Sequence, residues 1–257
     1  MVVSTYFLWL VVYSFLGWIY ESALCSINKR KLVNRGFLSG PVCPVYGFGA
    51  LVCIVFLYQK TDHVVLLFFI GMLLTCTVEY ITAVLLEKLF HAKWWDYSNS
   101  RFHIQGRVCL LGAVIFGLLS VLLVKHIHPA VSSLTGILPY QVQIVLSLVL
   151  FIIMMADLYV TVHHLVRLNS GLKEIQCAIN RFLEQYAKRA GTIKESVLEK
   201  FEESEYYSDR IKTLLYLSRM QNIRILKAFP MLKFTRYSDA WRKFMQALSI
   251  TDNKKTR

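Results

Sequence analysis

The chain has 257 residues, 56% of them hydrophobic, and its 29 Lys and Arg against 16 Asp and Glu give a formal net charge of +13. Most of that excess lies in residues 165–257, which carry a net charge of +9, whereas residues 1–164 carry +4. A basic C-terminal region is typical of proteins that bind either nucleic acid or an anionic lipid surface. Because its charges are mixed in sign and it follows a series of apolar segments, we expect an anionic inner leaflet as its partner and no nucleic acid.

Five apolar stretches in the first 165 residues are each about 17–24 residues long, the length that an α-helix needs to cross ~30 Å of hydrocarbon. They predict an all-α, polytopic transmembrane helical bundle with about five spans. A transmembrane domain over residues 1–164 then leads into a basic cytoplasmic helical region over residues 165–257. The five stretches are Val2–Cys25, Val42–Tyr58, Val64–Leu86, Val108–Val124 and Tyr140–Val162.

Basic residues between the stretches fall on alternate sides of the predicted membrane. The first and third connections each hold four Lys or Arg, whereas the second and fourth hold only Lys60 and Lys125. The positive-inside rule then puts the N-terminus outside the cell, and the first loop, the third loop and everything after Val162 in the cytoplasm. We therefore expect a multi-pass protein of the cell membrane with a cytoplasmic C-terminal region.

The beginning of the second stretch is rich in residues that disfavour a regular helix. Pro44 cannot donate an amide hydrogen, and Gly47 and Gly49 weaken a helix. Irregular backbone at membrane depth is tolerated only when it is buried in protein or faces a water-filled cavity. The segment predicts either a re-entrant or half-helical element, as at ion and substrate sites, or an ordinary tight loop before a short helix. The candidate broken-span residues are Gly40, Pro41, Pro44, Gly47 and Gly49.

Three acidic residues lie within the predicted spans. Counted from the nearest charged flank at ~1.5 Å per residue, Glu21, Glu79 and Asp157 all lie about 10 Å inside the cytoplasmic boundary. A carboxylate in the bilayer costs several kcal/mol unless it faces the bundle interior, water, a cation or a partner. The three acids predict one inward-facing site that binds a cation, relays a proton or holds a basic headgroup. Alternatively, each acid is satisfied separately by a neighbouring Tyr, Trp, Thr or Arg. The predicted substrate or ion path comprises Glu21, Glu79, Asp157, Asp96, Arg35 and Arg107, the last as a counter-charge.

The residues after the fifth stretch predict a continuing helix with a heptad-like apolar seam. Gly191 ends this helix, and the segment from Thr192 to Glu195 is typical of a capping box that opens a second helix reaching about Lys227. A short third helix is predicted over Ser238–Leu248. The two long helices form either a hairpin within one subunit, which we favour, or a stalk for dimerisation or partner docking. The seam consists of Leu165, Leu168, Leu172, Ile175, Ile179, Phe182 and Tyr186.

The sequence gives little support for a metal site, a cofactor or catalysis. Its six cysteines show no C-x-x-C spacing, so we expect neither a disulfide nor a zinc site. His126 and His128 are too few ligands to hold a metal by themselves. The chain contains no Gly-Lys dipeptide and hence no Walker A phosphate loop, which excludes an ATPase. We expect no cofactor, and an enzyme is the less favoured reading.

Several short motifs together resemble those of the bacterial "putative ABC-transporter type IV permease" family, also labelled CmpB-like. The resemblance covers roughly residues 5–165 and implies an integral membrane protein. It carries no established substrate or catalytic residues to this chain. The motifs are Gly17-Trp-Ile-Tyr-Glu21, Asn34-Arg-Gly-Phe37, the glycine- and proline-rich run Gly40–Gly49, Glu79-Tyr-Ile-Thr82, Trp94-Trp-Asp-Tyr-Ser98 and Gly106-Arg-Val-Cys-Leu110.

Three functions stay open at this point. We favour a transporter permease-like subunit of unknown substrate, in which the carboxylates and the broken span line a path. A membrane-anchored scaffold or regulator acting through its cytoplasmic helices comes second. A membrane enzyme acting on a lipid headgroup, with Glu79 and Asp96 as candidate residues, comes third. Either a homo-oligomer or a separate partner subunit is compatible with the sequence.

Overall fold

A computed structural model describes residues 3–30, 32–190, 221–229, 231–242 and 244–245. It confirms the all-α polytopic bundle. The helices are α1 (Val3–Lys29), α2 (Pro44–Leu57), α3 (Val64–Phe90), α4 (Leu110–Leu122), α5 (His128–Ile137), α6 (Tyr140–Ala190) and α7 (Gln221–Ala228). A π-helical turn, Leu123–Ile127, joins α4 to α5 without a break. Four two-residue strands complete the described structure, namely β1 (Ala92–Lys93), β2 (His103–Ile104), β3 (Val108–Cys109) and β4 (Lys233–Phe234).

Within the described residues, four helical segments are long and apolar enough to cross a membrane. Each exposes many large apolar side chains, as lipid-facing helices do. The helix α2 is apolar but has only 14 residues, so at ~1.5 Å per residue it is ~21 Å long, against ~30 Å of hydrocarbon. The second predicted stretch is therefore helical over only part of a membrane's thickness. The four long segments are Val3–Ile27, Val64–Phe90, Leu110–Ile137 and Tyr140–Arg181.

The bundle is built by helix pairs that follow one another in the chain. Helix α1 packs against α2, α2 against α3, and α3 against α4, and α6 returns to pack against α1. Two glycines let α1 and α2 approach closely, because a Cβ atom at Gly17 would collide with the Tyr46 side chain, and one at Gly47 would collide with Ser14 and Leu10. Close approach through small residues is the usual basis of helix association in membranes.

A second core lies beyond the end of α3, where the predicted seam of α6 is buried. The first five residues of the seam, which lie between Leu165 and Ile179, are each at most 2% exposed. They pack against Phe90, Trp94 and buried residues between Ile225 and Phe244, which together with Arg224 belong to what we call the C-terminal segment. Antiparallel pairing of β1 with β4 fastens this segment to the loop after α3. The seam therefore has a partner within the same chain.

The predicted cytoplasmic hairpin is described only in part. Residues 192–220, which hold the capping box and most of the predicted second helix, lie outside the described residues, as do the side chains of Phe182 and Tyr186. Helix α7 falls within the end of that predicted helix. Residues 238–242 and 244–245 are helical, in agreement with the predicted third helix.

Candidate functional site

After α1 the chain turns back and runs along the helix that it has just left. We call residues 32–43 the return loop. The hydroxyl oxygens of Ser26 and Ser22 accept amide hydrogens from the loop at 3.1 and 3.2 Å. The Trp18 indole donates to a loop side chain at 2.7 Å, and the Ser14 carbonyl accepts from the Cys43 amide at 2.9 Å. These contacts repeat every four residues along α1, so they form one polar stripe on a single helix face.

Three further amide groups of the return loop are bound by two side chains. The Asp157 carboxylate on α6 accepts hydrogens from the amides of Ser39 (2.9 Å) and Gly40 (2.7 Å), one at each oxygen. Within the loop, Asn34 accepts from the Gly36 amide at 3.0 Å and donates to the Ser39 carbonyl at 3.0 Å. In a regular helix, backbone carbonyl groups would accept these amide hydrogens. In the irregular return loop, the Asp157 carboxylate accepts them instead.

A cation from the C-terminal segment binds the other side of the same loop. Arg224 donates from its two terminal nitrogens to the carbonyl oxygens of Gly36 (3.0 Å) and Phe37 (3.1 Å). Five residues further on, the Phe229 ring lies 5.9 Å from the Arg35 guanidinium, within cation–π range. The C-terminal segment therefore contacts the return loop directly, both at its backbone and at its basic side chain.

Together the return loop and α2 run back along α1, first as irregular backbone and then as helix, and we call this stretch the discontinuous crossing. The loop ends where Cys43 meets Ser14, close to the middle of α1, and α2 starts at the next residue. Irregular backbone therefore lies beside the second half of α1 and regular helix beside the first half. Of the predicted broken-span residues, two lie in the loop, one opens the helix and two lie inside regular helix. They are, in that order, Gly40 and Pro41, then Pro44, then Gly47 and Gly49.

Glu21 on α1 is held by a residue from each half of this crossing. The Tyr46 hydroxyl on α2 donates to Glu21 Oε1 at 2.5 Å, and Arg35 Nε on the return loop pairs with Glu21 Oε2 at 3.1 Å. The Glu21 and Arg35 side chains are 26% and 31% exposed, so the pair is accessible from one side. The predicted site residues Glu21 and Arg35 are therefore in direct contact.

Glu79 on α3 joins the same cluster through Tyr97, which lies in the loop after α3. The Tyr97 hydroxyl donates to Glu79 Oε1 at 3.4 Å, a long and hence weak hydrogen bond. Burial raises the pKa of the Tyr97 phenol, and the carboxylates of Glu79 and then Glu21 raise it further, with Arg35 opposing them. Both carboxylates therefore lie within electrostatic reach of one phenol. We call Glu21, Arg35, Tyr46, Glu79 and Tyr97 the acidic cluster.

The other three predicted site residues have partners of their own. Asp157 binds the return loop, as described above. Asp96 accepts from the amide of Ser98 at 3.1 Å, and Lys233 lies 3.6 Å from its second oxygen. Arg107 pairs with Glu87 on α3 at 2.7 Å. The structure thus brings Glu21, Glu79 and Arg35 together, and satisfies Asp157, Asp96 and Arg107 elsewhere.

The acidic cluster has an excess of negative charge when its groups are ionised. Among the described residues, Glu21 has a cation and a phenol as partners, whereas Glu79 has one distant phenol. An ionised carboxylate at membrane depth is stable only with a counter-charge, water or a proton. Glu79 can therefore accept a proton or a small cation beside the Glu21–Arg35 pair. Among the described residues, no group of three or more His, Cys, Asp or Glu is arranged to hold a metal ion.

A second polar cluster, at the opposite end of the bundle, was missed by the sequence reasoning. His128 follows the π-helical turn and is fully buried, with its Nδ1 2.7 Å from the Tyr13 hydroxyl. The rings of Trp9 and Tyr58 pack edge-on against it, 4.6 and 4.3 Å away. The spacing of Tyr13 and Trp9 on one face of α1 was the sequence signal available for it.

Comparison with known proteins supports the motif resemblance. The family model described as "Putative ABC-transporter type IV" matches residues 8–162, which is more than half of the chain. No curated protein and no solved structure matches the chain. The match runs from residue 8 in α1 to residue 162 in α6, and it includes α2–α5, the return loop and the acidic cluster. The chain is a membrane protein that belongs to the Putative ABC-transporter type IV family.

Proposed function

We propose that the chain is a transporter permease-like subunit in which the acidic cluster binds the transported or coupling cation. The observation that carries this proposal is the position of Glu79. It is a carboxylate on a membrane-spanning helix, its one hydrogen bond within the described residues is 3.4 Å long, and it lies beside an ion-paired carboxylate. Such residues in membranes commonly mark ion pathways and proton relays.

The discontinuous crossing supports the same function. Transporters often place substrate and coupling-ion sites beside unwound backbone near the middle of the membrane. Here the return loop carries Arg35 and α2 carries Tyr46, and both bind Glu21. A cation that reaches Glu79 competes with Arg35 for the carboxylates, so cation binding and movement of the return loop are linked.

We further propose the orientation in which the N-terminus lies outside the cell and the C-terminal region lies in the cytoplasm. The excess of basic residues in the first and third connections supports it. In this orientation the acidic cluster lies nearer the cytoplasmic face of the cell membrane, and the basic C-terminal region faces an anionic leaflet. Partner subunits or further copies of the chain are compatible with this arrangement.

The test is cation flux through the purified full chain in proteoliposomes. Protons are followed with a trapped pH-sensitive dye, and Na⁺ and Rb⁺ with radiolabel, under an imposed membrane potential. We expect flux of one of these cations, and we expect Glu79→Gln and Glu21→Gln each to lower it at least about tenfold, since that corresponds to ~1.4 kcal/mol of lost cation stabilisation. Glu87→Gln is the matched control, because it makes the same change on the same helix outside the acidic cluster.

Two outcomes would contradict the proposal. Full flux in the Glu21→Gln, Glu79→Gln double variant would remove the acidic cluster from the path. No flux of any tested cation through the wild-type chain, with the lipid bilayer intact, would remove transport by this chain alone. Carbodiimide labelling of Glu79, read by mass spectrometry, checks the site without flux, since it modifies an accessible carboxyl group that can be protonated.

A regulatory role is the second candidate, and one observation favours it. Arg224 and Phe229 from the C-terminal segment contact the backbone of the return loop and its Arg35. Anything that moves this segment therefore acts on the acidic cluster through Arg35. Flux that is unchanged in Arg224→Gln but lost in Glu79→Gln would support transport without this regulation. The reverse result would make the C-terminal segment the functional element.

A further inference from the structure

The loop between α3 and α4 contains a hairpin that lies back against α3. Strands β2 and β3 pair antiparallel, with His103 opposite Cys109. The Tyr97 amide donates to the Gly106 carbonyl at 2.8 Å, which ties the turn between these strands to the start of the loop. We call residues 96–109 the third-loop hairpin.

Contacts along α3 fix the depth of this hairpin. The Tyr80 hydroxyl donates to the Gln105 side chain at 2.9 Å, and Tyr97 reaches Glu79. Tyr80 is 16 residues after Val64, and at ~1.5 Å per residue it lies ~24 Å along α3, within the ~30 Å of hydrocarbon that a span crosses. The hairpin therefore reaches the level of the membrane boundary instead of standing away from it.

Two large apolar side chains of the hairpin are left uncovered. Phe102 is 79% exposed and Ile104 is 62% exposed. The Phe102 carbonyl accepts from the Leu110 amide at 3.1 Å, so the hairpin is attached to the first residue of the α4 span. Leu110 and Leu111 are themselves 49% and 71% exposed, at the start of a segment long and apolar enough to cross the membrane. The exposed apolar surface of the hairpin is thus continuous with a lipid-facing surface.

We propose that the third-loop hairpin is an interfacial anchor, whose Phe102 and Ile104 insert into the acyl-chain boundary of the leaflet on the C-terminal side of the bundle. An exposed Phe and Ile beside a membrane span are stabilised by transfer out of water, as in interfacial membrane-binding segments. The occupant of this surface is lipid, because the surface continues onto a spanning helix. The proposal rests on the membrane location of α4 and is independent of the proposed cation binding by the acidic cluster.

The test compares labelled cysteines in the full chain reconstituted in vesicles. In a Cys177→Ser background, which removes the exposed cysteine of the described chain, Phe102→Cys and Ile104→Cys are labelled separately with an environment-sensitive fluorophore. Quenching is measured with nitroxide carried on lipid acyl chains and with aqueous iodide. Leu148→Cys, on the exposed apolar face of α6, is the lipid reference. Glu184→Cys, an exposed position ~54 Å further along the same helix at ~1.5 Å per residue, is the water reference.

We expect both hairpin labels to resemble the Leu148 label, with iodide quenching several-fold weaker than at residue 184 and with clear quenching by the lipid nitroxide. Labels that resemble the residue-184 label would overturn the proposal by placing the hairpin in water. Labels protected from both quenchers would also overturn it, because protein, either a second copy or a partner, would then cover the surface. Two separately labelled positions guard against a single variant that disturbs the hairpin.

Discussion

Replacement of Asp157 tests whether this carboxylate anchors the return loop or belongs to an ion path. It accepts two amide hydrogens, at 2.9 and 2.7 Å, that have no helical partner. Hydrogen bonds to a charged group contribute about 1.5–3 kcal/mol each. We therefore expect Asp157→Ala to lower the free energy of unfolding by about 3–5 kcal/mol. Asp157→Asn, which retains one acceptor oxygen, should lower it by about half as much.

The measurement is reversible unfolding of the full chain in mixed micelles, followed by tryptophan fluorescence. Thr161→Val is a matched control on the same helix. The Thr161 hydroxyl donates to Asp157 Oδ1 over a long distance of 3.3 Å, and loss of this weak hydrogen bond should lower the free energy of unfolding by less than about 1 kcal/mol. An Asp157 that served as a cation ligand would behave differently, since removal of an uncompensated carboxylate leaves stability equal or higher when no cation is bound. Unfolding free energies of both Asp157 variants within about 0.5 kcal/mol of wild type would refute the anchoring role.

Three further predictions follow from contacts outside that anchor. Gly47→Ala should destabilise the bundle by at least about 1–3 kcal/mol, because its Cβ would overlap backbone and side chain of α1, while Gly136→Ala, with open space around it, should be near neutral in the same unfolding assay. Arg224→Gln should speed amide hydrogen exchange in the return loop at least severalfold, and equal rates in Arg224→Gln and in the exposed control Arg236→Gln would contradict the contact. Hydrogen bonds from Ser98 lower the pKa of Asp96 in the folded chain. Ionised Asp96 therefore stabilises the fold above about pH 4, the pKa of an unfolded Asp, and this contribution is lost as the pH falls through the lower pKa of the folded chain. The stability difference between wild type and Asp96→Asn should shrink accordingly on acidification, and a difference that grows would reverse the assigned sign.

The parts of the fold that follow from periodicity and length could be predicted from the sequence. The apolar stretches became helices because an isolated segment in lipid must satisfy its own backbone, which leaves few alternatives. The seam from Leu165 to Ile179 was predicted as a buried face, and it is buried. The second helix of a hairpin was predicted as its partner, but the other residues that cover it were not, because an apolar seam specifies only that something covers it. Here the residues that cover the seam include Trp94 and the segment that ends at Phe244.

The return loop could be predicted only as irregular backbone. Its glycines and prolines argued against a helix, but they said nothing of which groups would bind the loop. Asp157 lies 118 residues from Ser39, and Arg224 lies 188 residues from Gly36. Separations of this size carry no local signal. The polar stripe on α1, with Ser22 and Ser26 one turn apart, was the one local signal that could have predicted a chain lying along that face.

The different roles of the three intramembrane acids follow from direction around the helix axis. Counting residues along a helix gives the depth of a side chain in the membrane. It does not give the direction in which that side chain points around the helix axis. Glu21 and Glu79 come from helices that both pack against α2. Their carboxylates therefore converge near the start of α2, on the return loop and the phenols of Tyr46 and Tyr97. Asp157 comes from α6, which packs against α1, and it meets the return loop from the other side. A discontinuous crossing needs such an anchor before it can hold Arg35 beside Glu21. Asp157 therefore supports the acidic cluster by holding the loop that carries the Arg35 guanidinium. It does not contribute a third carboxylate to the cluster.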